Sequence, residues 1–121
     1  MTMLEDFVFW IKSIVEDDPI PYEIKNIYFC LVKNKKAITL MLGGRETDKN
    51  CVCDFEYFPL EAQYFFNRSF NEIGDLYLAK LAVKNLIEES LFDKDILGIF
   101  KGKTVFVGEF MKSPEYAKFI D

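Results

Sequence analysis

Leu4, Phe7, Val8, Ile11, Ile14 and Val15 recur at the three-and-four spacing of a helix and form one apolar stripe, with Trp10 beside it. Thr2-Met3-Leu4-Glu5 supplies a capping box at the start. Asp17-Asp18-Pro19 closes the helix, because the residue before a proline is pushed out of the α region. Ile20-Pro21-Tyr22 reads as an extended connection.

The pattern then changes to short runs rich in β-branched and aromatic residues. Ile24 to Lys33 is apolar on both faces, as a buried central strand is. Asn34-Lys35 makes a tight turn into a second run, Ala37 to Leu42. A polar loop from Gly43 to Asn50 leads into a third, Cys51 to Phe58, and the three runs predict an antiparallel meander. Pro59 fits the first position of a helix over Leu60–Phe70. Ser69-Phe70-Asn71-Glu72 offers a second capping box, which predicts a break before a longer helix from Asn71 to about Phe92. Gly98 to Gly102 reads as a turn and Lys103 to Phe110 as a fourth strand. Ser113-Pro114-Glu115 opens a short terminal helix with an N-cap, a first-position proline and a first-turn acid.

The predicted order is α-β-β-β-α-α-β-α over residues 1–121, a single α+β domain. Its sheet has about four strands, mainly antiparallel, with the helices packed mostly on one face. No repeat, low-complexity stretch or interdomain linker interrupts it. By surface scaling a chain of 14.2 kDa buries about two-thirds of its surface on folding, enough for one core without staples.

Charge narrows the partners. The net charge is −5 and the pI about 4.8, whereas a phosphate backbone is bound by clustered Lys and Arg. Lys33-Asn34-Lys35-Lys36 is the most basic stretch, and Arg45 and Arg68 are the only arginines. No nucleic acid partner is expected. No run approaches the ~20 apolar residues of a membrane span, and Glu5 and Asp6 interrupt any signal-peptide pattern. Three cysteines without an export signal predict reduced thiols in a cytoplasm.

The catalytic inventory is thin. The chain has no histidine, so it holds neither a Ser-His-Asp nor a Cys-His arrangement and no histidine-ligated metal. Cys51 and Cys53 alternate on one strand face, roughly 6.5–7 Å apart by strand rise, and the remaining thiol, Cys30, lies in another run. Small, reduced, semi-buried side chains are the expectation. Asp54 and Glu56 share the opposite face, with Glu61 across the turn, and carboxylates so spaced suit Mg²⁺ or a division of acid and base roles. A solvated strand face produces the same pattern. Gly43-Gly44-Arg45 resembles an anion cradle, although it has neither the Walker pattern nor the dinucleotide fingerprint. Glu16-Asp17-Asp18 is an acidic helix end. No cofactor is expected.

The strongest positive signal is aromatic. Phe55, Tyr57, Phe58, Tyr64, Phe65, Phe66 and Phe70 crowd a short stretch. Tyr64 to Phe66, taken as consecutive helix positions about 100° apart, cannot all be buried on one face. Tyr64, Phe65, Phe66 and Phe70 are therefore the candidate partner-binding residues, with core packing as the plainer account.

Three function classes follow. The first is a non-catalytic protein–protein interaction domain, with a protein partner or a second copy of itself. The second is an acidic immunity or inhibitor protein that neutralises a basic toxin or enzyme; size, charge and class resemble those of small bacterial immunity proteins, a resemblance carried by no motif. The third is a divalent-metal or small-molecule binder using Asp54 and Glu56.

Overall fold

The computed structural model describes residues 2–35, 37–59 and 64–121. Helix α1 (Met3–Asp17) starts where the capping box places it: Thr2 accepts from the Glu5 amide, and the Glu5 carboxylate accepts from the Thr2 amide. Its stripe buries Phe7, Trp10, Ile11 and Ile14 against the sheet.

Strands β1 (Asn26–Lys33) and β2 (Ile38–Arg45) form the expected hairpin. Beyond it the meander gives way to a mixed sheet of order β2-β1-β3-β4. β3 (Thr104–Glu109) lies parallel to β1, with Asn26 opposite Thr104 and Tyr28 opposite Phe106. β4 (Tyr116–Phe119) runs antiparallel along β3. The α+β class and the four strands stand, and two of the three pairings are antiparallel, but there is no β-β-β meander and the described elements run α-β-β-α-α-α-β-β.

Two segments depart from expectation for traceable reasons. Residues 51–58 form no strand beyond a single bridge between Gly44 and Tyr57. They lie across the sheet face opposite the helices. That face carries Tyr28, Cys30 and Phe106, apolar groups that need a cover, and Val52 and Phe55 supply it. Residues 116–119 form a strand rather than a helix because the outer edge of β3 would otherwise remain unpaired. The Glu115 amide donates to the Val107 carbonyl as the chain enters this pairing.

The helical half is divided more finely than periodicity suggests. Residues 64–67 are not helical, residues 60–63 of the expected Leu60–Phe70 helix lie outside the described residues, and α2 is the short Arg68–Asn71, capped by Asn67. Gly74, at φ +71°, separates it from α3 (Leu76–Ser90), whose cap is Asp75. Helix α4 (Lys94–Phe100) was not anticipated; Asp93 caps it, accepting from the amides of Asp95 and Ile96. Lys12 ties α1 to this start through Asp93 at 3.0 Å and Asp95 at 3.3 Å. The main core lies between helices and sheet, around Phe7, Phe29, Leu31, Val83, Ile87 and Phe100. No described helix is long and apolar enough to cross a membrane.

Candidate interaction surface

The outward side of α1 is one place where large apolar side chains lie uncovered. Phe9 follows the buried Phe7 by two positions, about 200° around the helix, and is 64% exposed. Alongside runs the extended stretch 64–67. In extended chain successive side chains point to opposite sides, so Phe65 turns inward and Tyr64 and Phe66 turn out. Phe65 is 1% exposed, its amide donates to the Leu40 carbonyl, and its ring packs against Phe7, Trp10 and Phe70. Phe66 is 80% exposed.

This corrects the candidate partner-binding set. Phe65 and Phe70 are core residues, and only Tyr64 and Phe66 reach the surface. Sequence reasoning missed two further rings, Phe9 and Phe92. The signal was present, since Phe9 lies off the stripe of α1 and Phe92 follows the last buried turn of α3. Phe92 is 92% exposed.

Phe9 separates two grooves. One, of about 240 Å³, is bordered by Tyr64, Phe66, Trp10 and Asp6. The other, of about 560 Å³, runs between α1 and the α3–α4 corner, with Leu4, Val8 and Phe92 as apolar walls. Their charged rim holds Glu5, Asp6, Glu89 and Asp93 against Lys12 alone. Lys12 is already paired with Asp93, which the ammonium holds below the usual carboxylate range.

The other sequence candidates do not converge. The strand that would align Asp54 with Glu56 does not form. Asp54 sits at φ +51°, its side chain 3.8 Å from Lys49, while Glu56 accepts from the Glu46 amide at 3.0 Å. Glu61 lies outside the described residues. Among the described residues no group of three or more His, Cys, Asp or Glu side chains could hold a metal ion. The Gly43-Gly44-Arg45 cradle is occupied by the protein itself. Phe55 fills the space over Gly43, and Ile24 and Tyr57 fill that over Gly44. Arg45 is buried and donates to the carbonyls of Thr47, Cys53 and Asp54 at 3.0–3.1 Å.

The cysteines also differ from expectation. Cys51 and Cys53 are joined in a disulfide with Cα atoms 5.3 Å apart, closer than in a strand because the segment is turned rather than extended. Cys30 is free and buried, and burial pushes its thiol up to about 12. Compared with known protein families, curated proteins and solved structures, the chain matches none.

Proposed function

We propose that the protein is a non-catalytic protein–protein interaction domain whose docking face is the outward side of α1, bordered by Phe9, Tyr64, Phe66 and Phe92. One observation carries this reading: three phenylalanines, each at least 64% exposed, rim two adjoining grooves. Exposed apolar groups gathered in one patch with a polar rim mark interaction sites, whereas isolated ones do not. Burying each ring contributes on the order of 2 kcal/mol before association costs are subtracted, so a few rings suffice for a docking site.

The rim selects the partner. Four carboxylates face one ammonium around the grooves, so stacking this face on a second copy opposes like charges. A basic partner is complementary, and the excess negative charge would steer its approach. This favours the reading as an acidic inhibitor or immunity protein for a basic enzyme over a homodimer.

A photo-reactive phenylalanine analogue placed at position 66 or 92, and at the exposed Tyr22 as control, tests the face in the native host. Adducts with one basic protein from positions 66 and 92, absent from position 22, are expected. Light scattering over micromolar concentrations is expected to show a monomer. Equal labelling from all three positions would remove the docking face, and a dimer abolished by Phe66→Ser would replace the basic partner with a second copy.

A further inference from the structure

The segment that covers the second face of the sheet carries a disulfide and is also held by contacts other than the bond between its two sulfurs. Val52, between Cys51 and Cys53, is fully buried, and its side chain occupies the space a Cβ on Gly108 would fill. Its amide donates to the Lys112 carbonyl at 2.8 Å and its carbonyl accepts from the Met111 amide at 2.9 Å, locking it to the β3–β4 turn. On one side the Cys51 amide donates to the Lys49 carbonyl at 2.6 Å. On the other the Arg45 guanidinium grips the carbonyls of Cys53 and Asp54, both at 3.0 Å. The two Cα atoms are therefore held within disulfide range by packing and backbone hydrogen bonds. Two reactive groups fixed this way face each other at an effective concentration far above that of any dissolved thiol.

The two sulfurs are not equivalent. Cys51 is half-buried, whereas Cys53 is 6% exposed. The buried Arg45 holds Cys53 by its main-chain carbonyl, which fixes the less exposed thiol in place beneath Cys51 in reach of solvent. The thiolate is the nucleophilic form, and Cys51, the more exposed of the two, is the one a dissolved disulfide reaches. Cys30 is fully buried and held protonated, outside this exchange.

We propose that Cys51 and Cys53 form a redox-active dithiol that exchanges with low-molecular-weight disulfides, Cys51 entering the mixed disulfide and Cys53 resolving it. In the oxidising direction the Cys51 thiolate attacks one sulfur of the external disulfide. A bond forms to Cys51, the external S–S bond breaks, and one external thiolate leaves and takes a proton from solvent. The Cys53 thiolate, its proton lost to solvent, then attacks the Cys51 sulfur and expels the second external thiolate. Two electrons pass from the chain to the external disulfide, which becomes two thiols. The reverse sequence returns the dithiol.

The test equilibrates the folded chain in buffers of set reduced-to-oxidised glutathione ratio, starting from either form. Samples are acid-quenched, alkylated in denaturant and weighed by intact mass. Wild type is expected to reach the same balance from both sides, the oxidised form being two hydrogens lighter with one alkylatable thiol, Cys30. Cys53→Ser should retain one glutathione on Cys51, and Cys51→Ser should acquire it at least tenfold more slowly. A native disulfide that yields only after denaturation would make this a structural crosslink and overturn the proposal. Equal rates for the two serine variants, or a dithiol that stays reduced at every ratio, would overturn it as well.

Discussion

The Cβ that Gly43 lacks would lie 2.5 Å from the ring of Phe55, so the phenyl group occupies the place of a side chain at position 43. That ring continues an aromatic layer, 5.6 Å from Tyr28 and 5.9 Å from Phe58 between centroids. Gly43→Ala must displace it, and overpacking of this kind costs about 1–3 kcal/mol. Urea denaturation should show that loss. In the background of Phe55→Ala the same glycine substitution should cost far less, a coupling that appears only if the two residues share the space. Unchanged urea midpoints for Gly43→Ala would mean that Phe55 sits elsewhere.

Adjacent phenylalanines should behave as opposites. Phe65→Ala empties a site enclosed by Phe7, Trp10 and Phe70 and should destabilise by about 3–5 kcal/mol. Phe66→Ala, at an 80% exposed position, should stay within about 0.5 kcal/mol of wild type. Trp10 fluorescence reports on both substitutions, since Trp10 touches the Phe65 ring and lines the groove beside Phe66. Comparable destabilisation by the two would contradict the alternation of residues 64–67.

Alkali should unfold the protein. Burial raises the Cys30 thiol to about 12 and, with Glu88 nearby, the Tyr116 phenol to about 12; burial raises Tyr57 too. Each of these groups is neutral when protonated, so the folded state favours the protonated form. Their contribution is complete below the unfolded pKa values and is lost as pH climbs through the folded ones. Lys103 works in the other sense, because burial lowers its ammonium and stability recovers as that group deprotonates. Tyr28, raised by burial, and Lys12, raised by its bonds to Asp93 and Asp95, add to the first side, and five groups against one give a net fall in melting temperature between about pH 9 and 12. Cys30→Ala should delay the onset by roughly one pH unit, to where the tyrosines begin to titrate. A melting temperature that stays level to pH 11 would contradict the burial of these groups.

Local signals were legible in the sequence, and long-range ones were not. The α1 capping box, its stripe and the β1–β2 hairpin are encoded within a few residues of where they act. Asp93, the cap of α4, is equally local, but Gly98, a residue that suggests a turn, falls inside the helix and masks it. What decides between strand and cover for residues 51–58 is the empty space at Gly43 and Gly108, far apart in sequence. Likewise Ser113-Pro114-Glu115 carries helix-opening residues, and the unpaired edge of β3 overrides them. At the candidate surface the aromatic excess was visible. Which rings face out depended on residues 64–67 being extended rather than helical, a change of period that exchanges inward for outward.

The parallel pairing of Asn26 with Thr104 also sets a timetable. A ribosome releases β1 and β2 early, yet the strand that closes the inner edge of β1 follows only after three helices have been made. At about 5–20 residues per second, β1 waits on the order of several seconds with an apolar, unpaired edge. At the start of that interval α1, already synthesised, is there to shield it, and α2, α3 and α4 join as they emerge. A pause in translation ahead of residue 104 would lengthen the exposure, so slow synthesis across α3 and α4 is expected to leave more chains open to edge-to-edge pairing.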